Sequence, residues 1–220
     1  MFLKRVTLAC SFVLIAAVFA SAQPQVADDW GIAKYFENLP AKYTTASGDF
    51  SKPTVETTVV DEKNGYAAAY LNSSRELNDS FPIFEMALFK SQSRPSLLVV
   101  SNVKSDHVCT EHETFFLRRV GSGWAEVERE VLPPLDLKMF WEKPQSAVRF
   151  KKIVEQDNST TFHFQPPRNG TRMKVSLEIC DQFLEVTPLK SVDELTKLIQ
   201  STKAVYLDWD KQSGKFIYSK

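Results

Sequence analysis

The sequence predicts an α+β fold, an antiparallel hairpin meander of about eight to ten strands with amphipathic helices covering one face. Three observations predict it: Gly-bearing turns between neighbouring strand-like runs, alternation of apolar and polar residues within those runs, and amphipathic helical stretches between them. Strands joined by short local turns pair antiparallel, and the helices bury their apolar side on the sheet. A closed β-barrel is the alternative arrangement of the same hairpins.

The amino-terminal stretch, residues 1–22, has the pattern of a signal peptide. The basic pair Lys4 and Arg5 precedes an apolar run at residues 13–19, and the small residues 20–22 follow. The apolar run is shorter than the roughly 20 residues that a bilayer-spanning helix needs. We therefore expect cleavage before Gln23 and an exported product, periplasmic or extracellular, with no membrane attachment after cleavage.

The rest of the chain is expected to contain one soluble domain. Residues 23–53 are typical of a polar leader, a short helix and a connector, and residues 54–220 form a single α+β domain. Lys plus Arg and Asp plus Glu number 27 each, and removal of the signal peptide makes this balance slightly acidic. A chain with this charge attracts neither nucleic acid nor an anionic membrane surface.

The first half of the chain predicts one short helix and three hairpins. Apolar residues at three- and four-residue spacing predict a helix over residues 29–39, capped by Asp28 or Asp29 and ended by Pro40. The nearly continuous apolar runs of the second hairpin predict central strands that are covered on both faces. The hairpins pair residues 54–60 with 66–71, 83–89 with 97–100, and 113–120 with 124–131.

The second half of the chain predicts helices that alternate with further strands. Residues 135–156 have the periodicity of one or two helices broken at Pro144. Strands are expected on either side of a turn at residues 166–170. Ser191 and Glu194 have the spacing of a capping box at the start of a helix, and a hairpin of residues 204–209 and 215–218 follows.

Two cysteines remain after removal of the signal peptide, because Cys10 lies within it. In an oxidising compartment an even number of cysteines predicts a disulfide, here Cys109–Cys180, and free thiols are the alternative. Glycosylation sequons, which carry glycans only in a eukaryotic secretory pathway, stand at Asn72, Asn78, Asn158 and Asn169.

Residues 106–113 contain the densest group of metal-binding and nucleophilic side chains. His107, Cys109, Glu111 and His112 are all of the types that zinc accepts as ligands. On an extended strand His107, Cys109 and Glu111 share one face, whereas His112 points away from it. The spacing matches neither CxxC nor HExxH, and a disulfide at Cys109 would prevent coordination. A polar strand edge tethered by the disulfide is therefore the favoured interpretation.

A nucleophilic role is the weaker interpretation of the same residues. Cys109 and His107 are two residues apart along a strand, and this separation does not place a base within hydrogen-bond distance of the thiol. Gly121 and Gly123 flank Ser122 without the strand-to-helix context of a nucleophile elbow, so Ser122 is interpreted as a turn residue. The sequence thus identifies no catalytic residue, metal or cofactor, and leaves open whether the chain is an enzyme.

The leading hypothesis is a non-catalytic binding or interaction domain whose partner is another protein or a small apolar ligand. The alternative is a hydrolase or metal-binding protein that uses the four residues at 107, 109, 111 and 112. These hypotheses differ in one observable, which is whether the four side chains converge with His163 in a cleft. A pocket for an apolar ligand is expected where the Phe-rich strands curl, lined by Phe115, Phe116, Phe162, Phe164 and Phe216.

Overall fold

The computed structural model describes residues 30–44, 55–71, 82–105, 110–154, 160–179 and 189–219. These residues form an α+β fold with two antiparallel sheets, which confirms the predicted fold class. The predicted signal peptide, both cysteines of the predicted disulfide, His107 and the sequons other than Asn169 lie outside the described residues. No helix within the described ranges is long and apolar enough to cross a bilayer.

Six strands form the first sheet, in the order in which they occur along the chain. All neighbouring strands in this sheet are antiparallel, so the three predicted hairpins are present and join into one meander. The strands are β1 (Val55–Asp61), β2 (Tyr66–Leu71), β3 (Pro82–Phe89), β4 (Leu97–Ser105), β5 (Thr110–Val120) and β6 (Gly123–Glu126).

Four strands form the second sheet, in the order β10-β9-β8-β7. They are β7 (Thr160–Gln165), β8 (Arg172–Ile179), β9 (Val205–Asp210) and β10 (Lys215–Tyr218), and all three pairings are antiparallel. Among the described strands, β1 and β6 are the edges of the first sheet, and β7 and β10 are the edges of the second. Because neither sheet closes on itself, the alternative prediction of a β-barrel is wrong.

The helices of the described residues are α1 (Ile32–Asn38), α2 (Glu128–Val131), α3 (Pro144–Val154) and α4 (Leu189–Gln200). Short 3-10 helices occur at Ala41–Tyr43 and Leu137–Phe140. Pro144 is the first residue of α3, where its missing N–H needs no partner. The predicted break at Pro144 therefore separates a 3-10 helix from the α-helix that follows it.

Two apolar cores lie on the two faces of the first sheet. The larger core joins the sheets and includes Phe116 of β5, Phe164 of β7 and Phe150 of α3. The smaller core contains Ile32 and Tyr35 of α1, both completely buried. Residues of β3 and β4 contribute alternately to both cores, so these strands are covered on both faces, as their apolar runs predict.

Two local predictions for the chain after β5 are wrong. Strand β6 ends at Glu126, and residues 128–131, which were expected to continue it, form the single turn of α2. The backbone N–H groups of Glu130 and Val131 both donate to the Val127 carbonyl, and the Glu and Arg residues of this turn favour a helix. Ser191 does not cap α4, because that helix begins at Leu189 and already contains Ser191.

Helix α1 is held at its N-terminus by a residue distant in the sequence. The backbone N–H groups of Ile32 and Ala33 donate to the Glu62 carboxylate at 3.1 and 3.0 Å. The N-cap residue is Gly31, and a Cβ atom there would overlap the same carboxylate. The predicted capping by Asp28 or Asp29 is therefore wrong, since a tertiary contact from the β1–β2 turn takes that role.

Candidate functional site

Of the predicted cluster at residues 107–112, His112 is the member whose side chain the structure describes. It lies on β5 opposite Val103 of β4, and Glu111 is the residue before it on the same strand. Residues 107 and 109 precede the described part of β5, so convergence of the four residues stays untested. Ser122 lies in the exposed turn between β5 and β6. His112 does, however, meet two side chains from the second sheet.

His112 and Glu178 make a two-point contact that joins β5 to β8. The His112 backbone N–H donates to Glu178 Oε2 at 2.8 Å, and His112 Nδ1 lies 2.6 Å from Glu178 Oε1. The two side chains are only 22% and 17% exposed. Burial alone would raise the pKa of the Glu178 carboxyl, but the hydrogen bonds and charge of His112 outweigh burial and lower this pKa. The carboxylate is therefore ionised and fixed at both oxygens.

His163 of β7 is the third member of this cluster. Its ring stacks on that of His112, with the centroids 3.7 Å apart and 13° between the ring planes. Burial, and then the charge of His112, lowers the pKa of His163 to about 4, so this imidazole is neutral around neutral pH. Its Nε2 atom is buried and has no hydrogen-bond partner among the described residues.

Polar side chains continue from this cluster into the first sheet. Glu85, Ser101 and Thr114 are direct neighbours across β3, β4 and β5. His112 precedes Thr114 by two positions, so the two side chains share a face of β5. The Tyr66 hydroxyl donates to Glu85 at 2.6 Å, and burial raises the pKa of the Glu85 carboxyl although this hydrogen bond opposes the shift. A polar row thus leads from the interior of the first sheet to the histidine pair.

His112, His163 and Glu178 each offer a ligand atom, and these atoms all lie within 4.8 Å of one another. The side chains come from three different strands, β5, β7 and β8. Imidazole nitrogen and carboxylate oxygen are donors that zinc and related ions accept. The arrangement holds a hydrogen bond between His112 and Glu178, whose atoms lie 2.6 Å apart, and offers donor atoms for a cation from all three groups.

Sequence reasoning identified His112 and named His163 as the side chain with which its cluster would converge, but it did not identify Glu178. His163 stands between Phe162 and Phe164, and Glu178 follows Leu177, so each is the polar member of an alternating strand. Such a residue is expected to face water, and the pattern carries no information about which other strand will cover it. The local sequence thus identifies His163 and Glu178 as polar side chains, but it does not indicate that they contact His112.

A cleft that we name the α3 cleft lies between α3 and the 3-10 helix Leu137–Phe140, and has a volume of about 560 Å³. Its apolar walls are formed by leucines at 135 and 137 and by Ala147 and Val148 of α3. Lys138 and Lys151 contribute charged groups, and the Asp136 carboxylate accepts the backbone N–H of Lys138 at 2.9 Å.

A smaller cleft of about 380 Å³ lies where β8, β9 and β10 meet the same 3-10 helix. Tyr206 and Tyr218 line it together with Lys203 and Arg172. Arg172 is already paired, because its Nε lies 2.8 Å from the Asp208 carboxylate. The cleft therefore combines exposed tyrosines with one lysine that has no ion pair among the described residues.

No phenylalanine side chain lines either of these clefts. Phe116 packs edge-on against Phe164 and Phe216, with ring centroids 5.2 and 6.3 Å apart. All three rings are buried in the larger core. The predicted pocket among these rings is therefore replaced by contacts of the rings with one another, and space for a ligand occurs beside α3.

Comparisons with known proteins identify no family. No protein-family model and no curated protein matches the chain. Among solved structures, the chain is similar to a domain of an uncharacterized protein from Porphyromonas gingivalis W83, with a TM-score of 0.46 and 12% identity. The match covers 84% of this chain and 88% of that one. A likeness of this degree carries no argument about function.

Proposed function

We propose that this chain is an exported, non-catalytic binding protein that holds a small, largely apolar ligand in the α3 cleft. The supporting observation is the cleft itself, since its volume of about 560 Å³ lies within the usual range for small-molecule sites, roughly 300–1,000 Å³. Export is supported by the signal-peptide pattern of residues 1–22.

The walls of the α3 cleft favour an apolar ligand. The leucines at 135 and 137 pack against the larger core, and Ala147 belongs to it, so this side of the cleft is rigid. Val148 projects from α3 with 49% of its surface exposed and adds apolar surface to this wall. A ligand that covers Val148 would gain about 25 cal/mol for each Å² of apolar surface removed from water.

The charged groups of the cleft favour a ligand with an acidic end. Lys138 and Lys151 are both exposed, and neither has an ion pair among the described residues. Asp136, the acidic residue of the lining, already accepts a backbone hydrogen bond. The lining thus carries two lysines against one carboxylate, and this excess of positive charge favours an anionic group at one end of an apolar molecule.

The lining also supports binding over catalysis. Its described residues include no His, Cys or Ser, and its titratable side chains are Asp136, Lys138 and Lys151, all exposed. Nucleophilic and general acid–base catalysis need such groups within hydrogen-bond distance of each other. Among the described residues, no side-chain hydrogen bond joins these three groups, and the Asp136 carboxylate accepts a backbone N–H instead.

The proposal is tested with 8-anilinonaphthalene-1-sulfonate, which joins apolar rings to an acidic group and fluoresces strongly in apolar sites. The folded protein should bind this dye saturably at one site. Val148→Glu would place a charge on the apolar wall, and Lys151→Glu would repel the sulfonate, so each should weaken binding by about tenfold or more. Fluorescence titration measures the change directly.

Matched variants separate the cleft from general surface effects. Val120→Glu changes a valine that is 58% exposed and is not part of the cleft, and Lys152→Glu changes the exposed neighbour of Lys151. Both controls should bind the dye like the original protein. Equal weakening in controls and cleft variants, or undiminished binding by Val148→Glu, would place the dye elsewhere and contradict the proposed function.

A further inference from the structure

The cluster at the junction of β5, β7 and β8 shares no residue with the α3 cleft, and the proposed binding function does not use it. We propose that His112, His163 and Glu178 form a binding site for a divalent transition-metal ion, with zinc as the ion that fits best. The ligand atoms of the three groups lie within 4.8 Å of one another. Because the lone pair of an imidazole nitrogen lies in the ring plane, one of the two stacked rings would turn out of the stack to bring all three atoms around one ion.

The donor set matches the chemistry of zinc. Two imidazole nitrogens and one carboxylate oxygen form a three-ligand site that zinc accepts, with its fourth position available for water. Harder ions such as Mg²⁺ and Ca²⁺ prefer sites made of oxygen atoms, so two histidines select against them. The arrangement therefore distinguishes a transition metal from the divalent cations that are most abundant outside cells.

The unpartnered nitrogen of His163 is the second observation that points to a ligand. Its Nε2 is buried and accepts no hydrogen bond from any described residue. A buried polar atom without a partner costs folding free energy, and native structures contain few of them. A metal ion at this nitrogen would remove that cost, because the lone pair would become a coordinate bond.

The surrounding structure holds the ligands in place. The His112 backbone N–H fixes Glu178 Oε2, which leaves Oε1 directed at the His112 ring. Such contacts from neighbouring groups orient ligands and commonly change metal affinity by about 10- to 100-fold. Each ligand also stands on a strand, and strands hold side chains more rigidly than loops do.

Metal binding would replace one bond between the sheets with a stronger one. A hydrogen bond joins His112 Nδ1 and Glu178 Oε1, and an ion that enters must displace its proton to solvent. The ion would then join β5 of the first sheet to β7 and β8 of the second through three coordinate bonds. Because His112 and Glu178 are little exposed, such an ion would lie within the contact between the sheets and would stabilise it.

The experiment uses the exported protein after treatment with a chelator and dialysis. Titration calorimetry with Zn²⁺ should show one ion bound per chain, and the melting temperature should rise with Zn²⁺ concentration. Co²⁺ should give visible absorption bands of a four-coordinate site. His163→Gln and Glu178→Gln should each weaken Zn²⁺ binding by about 100-fold while the metal-free proteins still unfold cooperatively.

Two further variants make the result decisive. Glu194→Gln removes an exposed carboxylate of α4 and should leave metal affinity unchanged. His107→Gln examines the third histidine of the chain, and binding that survives His163→Gln but is lost in His107→Gln would overturn the proposal. No Zn²⁺ binding by the unaltered protein would overturn it as well. Dye binding in the α3 cleft is measured separately, so failure of either proposal leaves the other standing.

Discussion

Glu85 is a carboxyl group that folding removes from water, and its protonation makes stability depend on pH. Burial raises its pKa, and the hydrogen bond from the Tyr66 hydroxyl opposes part of that rise. A carboxyl whose pKa is higher in the folded than in the unfolded protein binds its proton more tightly when folded. The stability that Glu85 contributes is therefore fully present below its pKa in the unfolded protein, and it is lost as pH rises through its pKa in the folded protein.

We therefore expect Glu85→Gln to change the free energy of unfolding more favourably at neutral pH than at about pH 4. The Gln side chain can accept the Tyr66 hydrogen bond, and it carries no charge at either pH. Urea unfolding at a series of pH values, with chelator present, measures this difference. Tyr66→Phe removes the opposing hydrogen bond and should steepen the loss of stability as pH rises. Parallel pH profiles for the original protein and Glu85→Gln would contradict the assignment.

Single residues also show where sequence reasoning stops. His112 was identified because it lies in a local group of possible ligands, whereas the groups that it contacts lie on β7 and β8. Alternation predicts that His163 and Glu178 point away from the apolar face of their strands, and no local pattern reports that β5 covers them. Their meeting depends on how the two sheets pack, which is set by the shared core.

At the scale of elements, α1 depends on Glu62 of the β1–β2 turn. Two N–H groups at the start of α1 donate to this carboxylate, and the helix has no capping side chain of its own. Glu62→Ala should lower the free energy of unfolding by about 1–2 kcal/mol, because it leaves two helix N–H groups without partners. Chemical denaturation measures the loss, and amide exchange in α1 should become faster.

Lys63→Ala is the matched control for that prediction, because Lys63 is the next residue of the same turn and is exposed. It should change stability by less than about 0.5 kcal/mol. Equal losses in the two variants would mean that the turn itself, and not the contact with α1, carries the effect. Unchanged amide exchange in α1 of the Glu62→Ala protein would lead to the same conclusion.

Hairpins were predictable because their signals are local, and other elements were not. Asn64 and Gly65 specify the turn between β1 and β2, and Gly65 has the positive φ of 64° that such a turn needs. Residues 128–131 alternate like a strand, yet α2 forms because Val131 reaches the larger core from a helical turn. Burial of Val131 in the core therefore decides between strand and helix at these residues, and the alternation of apolar and polar residues does not.

At the scale of the whole molecule, the sequence predicted the fold class but not the division of its strands into two sheets. The meander breaks between β6 and β7, where the chain forms α2 and α3. Phe140, Trp141 and Phe150 of this segment enter the larger core between residues of both sheets. Apolar residues therefore cover the inner faces of two separate sheets, an outcome that depends on core packing and not on any single turn.

The contact between the sheets also bears on the predicted disulfide Cys109–Cys180. Both cysteines lie outside the described residues, but each adjoins a strand that is described. His112 near the start of β5 and Glu178 near the end of β8 are joined at 2.8 and 2.6 Å. Along the chain, His112 is three residues from Cys109 and Glu178 is two residues from Cys180, and a disulfide needs Cα atoms within about 7 Å of each other.

We expect the exported protein to begin at Gln23 and to contain this disulfide, which intact-mass measurement with and without reductant would show. A bond that closes a loop of about 70 residues stabilises by about 4 kcal/mol in the chain-entropy model, so reduction should lower the melting temperature clearly. The double variant Cys109→Ser with Cys180→Ser should melt at the lower temperature whether or not reductant is present.

Because the bond would lie beside the contact between His112 and Glu178, its loss should loosen that contact and weaken Zn²⁺ binding. Labelling of both thiols in the native, oxidised protein would show that the cysteines are free and that the contact between β5 and β8 holds without a covalent bond.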